Sequence, residues 1–386
     1  MRLLRRIVFV AVLGVATLLG ALWLEHWIPV TLPVPTGPFA VGRATDAWSD
    51  AAHSDLVWMW YPAASAQSPA LTEAYLPAPW RSAIEHHRGP LIGMLTRDLS
   101  KVHAHSLRNA AVSPRQQSYP VVIMRGGASS EVINYTTLAE DLASYGYVVV
   151  GFDAPYRTST VVFPDGRVIE RTPENDVELC VGRPDEGPCA NRILHAWTED
   201  MTFVLDRLQQ LNTADPSSKF TGRLDLTRVG AFGHSFGGAA AALFCHEDAR
   251  CKAGIDIDGA PVGAVIQAGI DHPFLFLLSD HTHESDPEAR QILANIQSIY
   301  DRLPPNGRLR VAIRGANHFT FSDDGALLKS HIVTRSLRLL GILGIDGRRQ
   351  LAVTAYCVHT FFDACLKGTC DSPKLSSPLY PEILVL

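Results

Sequence analysis

The sequence predicts an α/β protein with a mainly parallel central sheet that is covered by helices on both faces. Two patterns indicate this fold class. Segments typical of strands alternate along the chain with segments typical of helices, an order that favours a parallel sheet. Several strand segments are almost continuously apolar, as expected for strands buried on both faces. With 386 residues, of which 47% are hydrophobic and 19% are charged, the chain is long enough to bury a large core.

The individual elements follow from apolar runs and from the residues that bound them. Ser130 is a suitable N-cap for the first helix after the N-terminal segment, and Gly146 is a suitable end. Pro164-Asp165-Gly166 predicts the turn of a hairpin over 160–170. The predicted strands are 56–61, 119–124, 147–152, 226–232, 253–257, 273–278 and 309–313. The predicted helices are 130–145, 191–211, 236–245, 326–343 and 349–366.

Two long stretches, 63–118 and 155–188, contain scattered prolines and have no regular pattern. Long excursions of this kind inside a compact domain are usually lids or binding loops. We therefore expect one α/β domain over 39–386 that carries two lid-like insertions.

The first 28 residues have the pattern of a membrane-targeting segment. Arg2, Arg5 and Arg6 precede 18 uncharged residues, 7–24, and basic residues stay on the cytoplasmic side. The apolar run is long for a signal peptide, and no good A-x-A cleavage site follows it. This favours an uncleaved signal anchor over a cleaved signal peptide, with a proline-rich spacer over 29–38. The rest of the chain is expected on the periplasmic or cell-surface side, tethered to the membrane, or secreted if the segment is cleaved.

Cysteine spacing agrees with export. Six of the seven cysteines form pairs that are close in sequence, namely Cys180/Cys189, Cys245/Cys251 and Cys365/Cys370. Each pair brackets a loop, as a local disulfide does, and we expect the second pair above all. Unpaired thiols are the alternative, and zinc is disfavoured because no pair has the two-residue spacing of a zinc knuckle. Cys357 is left over and is expected to be buried on a helix.

The segment Gly233-His234-Ser235-Phe236-Gly237 fits the pattern G-x-S-x-G. It lies between a predicted strand and a predicted helix, which is the context of a nucleophile elbow, a sharp turn that lifts a serine hydroxyl clear of the sheet. Side chains at the two flanking positions would collide in that turn, so both are glycine. The pattern predicts an α/β-hydrolase fold with Ser235 as the nucleophile. The alternative is a glycine-rich turn without a catalytic role.

A serine nucleophile needs a base and an acid that orients the base, in the chain order serine, acid, histidine. His318 follows the last predicted strand, at the strand end where α/β sites gather, and is the expected base. Two aspartates, Asp258 and Asp280, close the two strands that follow the elbow, and the pattern accepts either as the acid. Asp256 shares the strand face of Asp258 but lies deeper in the strand, so it is the weaker candidate.

Four segments, taken together, resemble one known family; they are 32–42, 60–63, 233–238 and 253–259. The chain is similar to the platelet-activating factor acetylhydrolase family, the plasma and intracellular type II group, in an exported, bacterial-type form. The resemblance spans most of the chain from residue 32. In that family the acid follows the strand directly after the nucleophile helix, so the resemblance implies Asp258 rather than Asp280.

The oxyanion of the transition state needs backbone N–H donors. Phe236, directly after the nucleophile, and Gly127 are the expected donors. Members of the family often have His-Gly ahead of this loop, whereas this chain has Arg125-Gly126-Gly127-Ala128. Arg125 is expected to pair with a nearby carboxylate or, as the alternative, to contact an anionic group of the substrate.

Together these residues predict a serine ester hydrolase that cleaves short-acyl carboxylic esters through an acyl-enzyme. The resemblance implies phospholipids with a short or oxidised sn-2 acyl chain, whereas apolar loop residues such as Phe319, Phe321 and Tyr156 would suit small carboxylesters or polyesters equally. An acyltransferase with the same triad is an alternative, and a non-catalytic binding module is disfavoured. No metal or organic cofactor is indicated. The net charge of −5 gives no sign of nucleic-acid binding, and the oligomeric state does not follow from the sequence.

Overall fold

The computed structural model describes residues 2–64, 72–280, 287–328, 331–340, 344–370 and 373–386. The strands are β1 Val30–Thr31, β2 Ala40–Ser49, β3 Ser54–Ala63, β4 Thr72–Ala74, β5 Val102–Arg108, β6 Tyr119–Arg125, β7 Val148–Asp153, β8 Thr160–Val162, β9 Val168–Glu170, β10 Leu224–His234, β11 Cys251–Ile257, β12 Phe274–Leu278, β13 Arg308–Ile313 and β14 Ile383–Val385. The α-helices are α1 Arg2–His26, α2 Ala78–Leu95, α3 Thr136–Ser144, α4 Glu186–Thr213, α5 Phe236–Glu247, α6 Val265–Ala268, α7 Pro287–Tyr300, α8 Asp324–Leu327, α9 His331–Leu339 and α10 Gly347–Phe362.

The core of the molecule is one large sheet with the strand order β1-β5-β2-β3-β7-β6-β10-β11-β12-β13-β14, with β4 paired to β5. From β7 to β13 every pair of neighbouring strands is parallel. Antiparallel pairs occur toward the edges, where β3 joins β2 and β7 and where β14 joins β13. The prediction of a mainly parallel sheet is therefore confirmed.

Helices cover both faces of this sheet because successive strand residues point to opposite sides. In β6, Val122 and Met124 belong to the core on one face, and Val121 and Ile123 belong to the core on the other. Helices α3 and α10 pack on the first face, and α4, α5 and α7 pack on the second. This arrangement is the α/β-hydrolase fold that the sequence predicts.

The structure differs from the predicted elements in several places. The stretch 63–118, expected to be irregular, contains β4, α2 and β5, and β5 extends the sheet beside β2. Strand β2 itself was not predicted, because charged residues interrupt its apolar pattern; one of them, Arg43, is buried and donates to the carbonyl of Tyr75. The helix expected over 326–343 is replaced by the shorter helices α8 and α9, and residues 329–330 and 341–343 lie outside the described residues.

The N-terminal helix α1 is long and apolar enough to cross a bilayer; the candidate span is Leu4–His26, and an 18-residue window within it has a mean hydropathy of 2.6. Most of its apolar side chains are exposed, as in a signal sequence or an anchor. Its last turns nevertheless contact the domain. Leu22 is buried, and Nδ1 of His26 lies 3.1 Å from the carbonyl oxygen of Thr96.

The three cysteine pairs predicted from spacing are disulfides. Their Cα–Cα distances are 5.7 Å for Cys180–Cys189, 5.0 Å for Cys245–Cys251 and 4.1 Å for Cys365–Cys370. The remaining cysteine, Cys357, is buried on α10. Disulfides of this kind are typical of proteins that fold outside the reducing cytoplasm.

We expect the Cys245–Cys251 disulfide to stabilise the fold measurably, since it ties the end of α5 to the start of β11. The double variant Cys245→Ala/Cys251→Ala should lose about 2 kcal/mol of unfolding free energy, the entropy of closing so short a loop. Chemical denaturation of both proteins measures this difference. As a control, mass spectrometry of unreduced, alkylated peptides shows whether Cys245 and Cys251 are bonded to each other in the wild-type protein. Alkylation of both thiols without prior reduction, in protein from its native compartment, would contradict the prediction.

Candidate active site

Ser235 lies at the sharp turn between β10 and α5. Its backbone is in the left-handed region, with φ of +56°, a conformation that costs free energy for a residue other than glycine. A Cβ atom at Gly233 would lie 2.1 Å from the carbonyl oxygen of Gly237, and one at Gly237 would lie 2.3 Å from that of Gly126. Both flanking positions therefore require glycine, and the serine hydroxyl stands at the C-terminal end of the sheet.

His318 comes from the loop after β13 and begins a short 3-10 helix, His318–Phe321. Asn317 caps this helix, because its side-chain oxygen accepts the backbone N–H of Phe319 at 3.0 Å. The imidazole is partly exposed, and its Nε2 lies 3.1 Å from Oγ of Ser235. This distance permits a hydrogen bond in which the hydroxyl donates to the ring nitrogen.

Asp258 follows β11 and approaches the other side of the same imidazole. Its Oδ2 lies 2.7 Å from Nδ1 of His318. Its Oδ1 accepts the backbone N–H of Ser279 at 2.7 Å, and the side chain is almost completely buried. The carboxylate is thereby held in place from two sides, and the structure brings Ser235, His318 and Asp258 into one hydrogen-bonded chain.

The other two candidate acids bind backbone groups instead. Asp280 accepts the N–H of Gly315 at 2.7 Å through Oδ2, so it supports the loop that leads to His318. Asp256 is buried, and its Oδ1 accepts the N–H of Gly259 at 2.8 Å. Burial raises the pKa of the Asp256 carboxyl well above its usual range. Asp280 therefore supports the turn at Gly315, and Asp256 supports the turn at Gly259.

The two expected oxyanion donors have different surroundings. The N–H of Phe236 is the first of α5, where no preceding helical residue can accept it. The N–H of Gly127, in contrast, donates to Oη of Tyr135 at 3.1 Å. The next residue, Ala128, lines the pocket together with Ser235 and Phe236. Sequence patterns did not reveal this difference, because Tyr135 reaches Gly127 from a separate 3-10 helix, Val132–Tyr135.

Tyr135 also connects to His234, the middle residue of the elbow. Its hydroxyl lies 2.8 Å from Nδ1 of His234 and donates to it, since it already accepts from Gly127. Burial, and to a smaller extent the neighbouring His318, lower the pKa of His234 to about 3. The two imidazole rings are only 4.6 Å apart. A neutral His234 therefore places no second positive charge beside His318 when that ring takes up a proton.

Arg125, at the end of β6, cannot reach a substrate because it is 2% exposed. Its guanidinium lies 4.4 Å from the ring of Phe152 and 4.1 Å from the ring of Trp197, and it donates to the carbonyl of Phe152 at 2.8 Å. Trp197 in turn packs edge-on against Phe236 at 5.0 Å. Arg125 therefore supports Phe236 of the elbow through Trp197, and arginine is favoured for such contacts between a guanidinium and an aromatic ring.

A pocket of about 290 Å³ opens beside the Ser235 hydroxyl. Leu278, Ile292 and Ile296 form an apolar wall, and Val177 and Glu178 reach in from the stretch 155–188. The disulfide Cys180–Cys189 ties that stretch to α4 close to these two residues. Among the described residues, no group of three or more histidine, cysteine or acidic side chains is arranged to hold a metal ion.

The three apolar loop residues named from the sequence, Phe319, Tyr156 and Phe321, differ in exposure. Phe319 is 74% exposed and packs edge-on against the imidazole of His318 at 5.4 Å. Tyr156 is exposed as well. Phe321 is buried beneath the site, against the ring of His234. Only the first two are therefore available to a molecule that approaches from solvent.

Comparisons with known proteins agree with this site. The family model of platelet-activating factor acetylhydrolase, isoform II, matches residues 28–367. A probable 1-alkyl-2-acetylglycerophosphocholine esterase of the fungus Arthroderma benhamiae is 26% identical over 279 residues, which cover 69% of this chain and 66% of that protein. A platelet-activating factor acetylhydrolase of Cavia porcellus is 24% identical over 317 residues, covering 76% of this chain and 69% of that protein. The chain thus spans about two thirds of the length of these relatives.

One solved structure is similar to this chain in its fold as well as in its sequence. The ferulic acid esterase from Streptomyces cinnamoneus is 27% identical, with a TM-score of 0.73, and the match covers 92% of this chain and 99% of that chain. The family model covers most of the sequence, and the three proteins described above are named as esterases or an acetylhydrolase. The chain belongs to the platelet-activating factor acetylhydrolase isoform II family and is a carboxylic ester hydrolase.

Proposed function

We propose that this protein hydrolyses short-acyl esters through an acyl-enzyme on Ser235, with His318 as the base and Asp258 as the orienting acid. The observation that supports this most is the hydrogen-bonded chain from Oγ of Ser235 through His318 to Asp258, with distances of 3.1 and 2.7 Å. Serine, histidine and acid in this arrangement are the parts of a serine-hydrolase triad.

The reaction follows from these positions. His318 removes the proton of the Ser235 hydroxyl as Oγ attacks the ester carbonyl carbon, and the carbonyl π electrons move to the oxygen. Asp258 holds the imidazole in the tautomer that leaves Nε2 free to accept, and its charge stabilises the imidazolium. The imidazolium then protonates the departing alcohol. Water, which gives a proton to the same histidine, then attacks the acyl carbon; the bond from this carbon to Oγ of Ser235 breaks, Oγ takes the proton back from the imidazolium, and the free acid leaves.

For the oxyanion hole we propose the backbone N–H groups of Phe236 and Ala128, in place of the predicted pair with Gly127. The N–H of Gly127 is already bound by Tyr135. No acceptor for the N–H of Ala128 occurs among the described residues, and Ala128 lines the pocket beside Ser235. A preorganised donor of this kind typically contributes about 10² to 10³ in rate.

The size and lining of the pocket favour a short acyl group. Its volume of about 290 Å³ lies at the lower end of the range for small-molecule sites, roughly 300–1,000 Å³. We propose that the acyl chain lies against Leu278, Ile292 and Ile296, and that the alcohol part extends toward solvent past Phe319. Phospholipids with a short or oxidised sn-2 chain fit this description. Small carboxylesters form the second candidate class, supported by the similarity to a ferulic acid esterase.

We expect kcat/KM to fall at least about tenfold between butyrate and decanoate esters of the same alcohol, because the longer chain exceeds the pocket. A p-nitrophenyl ester series measures this. An sn-2-acetyl phospholipid and methyl ferulate, assayed with the same protein, rank the two substrate classes. Equal rates across the series would contradict the short-acyl assignment.

A matched pair of variants tests the position of the acyl chain. Ile292 lines the pocket, and its neighbour Leu293 on α7 does not, although both are half-buried. Ile292→Ala should raise the decanoate-to-butyrate ratio of kcat/KM about tenfold, whereas Leu293→Ala should leave the ratio unchanged.

Product analysis in the presence of an added alcohol separates hydrolysis, which releases the free acid, from acyl transfer.

We further propose that the catalytic domain is exported and stays tethered by α1. The basic residues in the first turns of α1, the length of this helix and the three disulfides support this topology. The mass of the N-terminal peptide of the protein in its native membrane decides between a retained anchor and a cleaved signal peptide.

A further inference from the structure

A second cavity, larger than the active-site pocket, lies next to the end of the N-terminal helix. It has a volume of about 920 Å³ and shares no lining residue with the pocket at Ser235. Its described lining includes the four arginines Arg97, Arg335, Arg338 and Arg348. The esterase chemistry uses none of these residues.

The positive charge of this cavity is only partly neutralised by its surroundings. Asp346 is the one carboxylate among the described lining residues, and it caps α10 by accepting the N–H groups of Arg348 and Arg349 at 3.0 and 3.2 Å. Arg97 pairs with Glu25 at 3.4 Å. The cavity therefore keeps an excess of positive charge, which attracts anions, and guanidinium groups are well suited to bind phosphate oxygens.

Two of the arginines hold the segment that follows α1. Arg97 donates through Nη1 to the carbonyl oxygens of Glu25 and Ile28 at 2.9 and 3.3 Å. Arg348 donates to the carbonyl of Thr31 at 2.6 Å. Val30, between these carbonyls, lines the cavity itself. The cavity is thus built directly on the connection between α1 and the domain.

The surface around the cavity has the features of a membrane interface. Trp23 and Trp27, in and directly after the last turns of α1, are exposed, and their rings lie 6.3 Å apart; tryptophan is enriched at the level of lipid headgroups. Next to Arg338, at the end of α9, Leu339 and Leu340 are 81% and 72% exposed. Exposed leucines beside arginines are typical of segments that lie on an anionic bilayer.

We propose that this cavity binds the headgroup of an anionic phospholipid in the leaflet from which α1 leaves the membrane. The phosphate would lie among Arg335, Arg338 and Arg348, and the exposed leucines would contact the acyl region. A bound headgroup would hold the domain in one orientation relative to the bilayer, whereas α1 alone would leave the domain free to rotate. The inference rests on the proposed tethering by α1 but not on the proposed ester chemistry.

The experiment uses the full-length chain in a non-ionic detergent and measures lipid binding by calorimetry. The probes are the short-chain diether analogues of phosphatidylglycerol and phosphatidylcholine, which contain no ester to cleave, and inorganic phosphate. We expect the phosphatidylglycerol analogue to bind and the other two to bind at least about tenfold more weakly. The double variant Arg335→Gln/Arg338→Gln should weaken phosphatidylglycerol binding roughly 30-fold, since each arginine near the headgroup contributes separately.

The matched control is Arg167→Gln/Arg183→Gln, which removes the same charge from two exposed arginines outside the cavity. Hydrolysis of a soluble ester by each variant verifies folding without reference to lipid binding. If the control weakens binding as much as the cavity variant, or if the cavity variant binds like wild type, the proposal fails. Equal binding of both lipid analogues also overturns it, and binding of phosphate as tight as that of the lipid would identify an anion site without a lipid function. If the wild-type protein itself does not hydrolyse the ester, the proposed ester chemistry fails but the binding comparison stands, with thermal unfolding of each variant as the check of folding.

Discussion

We expect the Ser235→Ala variant to lose esterase activity by a factor of about 10⁴ to 10⁶. The hydroxyl is the only group of the proposed triad that forms a bond to the substrate, and its position depends on the left-handed backbone of the elbow. Alanine tolerates this backbone no worse than serine does, so the fold should remain intact. Initial rates on a short-acyl ester and labelling by a fluorophosphonate both measure the loss.

The matched control is Ser82→Ala, which removes the hydroxyl of an exposed serine on α2. It should retain wild-type rates and labelling. Thermal unfolding of all three proteins shows whether Ser235→Ala folds like wild type. Near-normal turnover by a folded Ser235→Ala variant would exclude Ser235 as the nucleophile and, with it, the proposed triad.

The second large effect is expected at the acid. Asp258→Asn should lower kcat by roughly 10⁴, because an amide at this position favours the wrong tautomer of His318 and cannot stabilise its cation. Asp280→Asn should lower kcat far less. The asparagine oxygen can still accept the N–H of Gly315 that Asp280 binds at 2.7 Å, so the loop before His318 keeps its support.

Steady-state kinetics of the two variants, on one ester and at several pH values, make the comparison. Both substitutions remove one negative charge and keep the size of the side chain, so each serves as the control for the other. A larger loss in Asp280→Asn than in Asp258→Asn would move the acid to the end of β12. It would also argue against a role for the 2.7 Å contact between Asp258 and His318.

The sequence pattern alone does not decide between Asp258 and Asp280, but the two residues follow strands at different distances from the elbow. Asp258 and Asp280 both close strands that follow the elbow, and the chain order of a triad accepts either. In the sheet, β11 is the direct neighbour of β10, whereas β12 is one strand further away. Neighbouring strands are about 4.8 Å apart, so the side chain after β11 is the nearer one. The resemblance to the family implies the same aspartate as this geometry.

Other features of the fold and of the site differ in how far the local sequence predicts them. The elbow and its two glycines were predictable because steric exclusion at Gly233 and Gly237 acts within a few residues. The bond between Gly127 and Tyr135 was not, because it depends on how a 3-10 helix folds back over the loop. Strand β2 was also missed, since its charged residues are accommodated by partners distant in sequence, such as the carbonyl of Tyr75 that accepts from Arg43.

The arrangement of the disulfides has a consequence for how the protein acquires its native state. Each bridge joins cysteines that are consecutive in the chain, with separations of 9, 6 and 5 residues. When the segment after α1 is translocated in sequence order, the two partners of each bridge emerge almost together. Oxidation can therefore proceed in order of emergence, and the first two bridges can close before Cys357 appears. In a chain exported as we propose, few wrong pairings need to be rearranged by a disulfide isomerase, and the segment that holds Val177 and Glu178 is bonded to α4 early in folding.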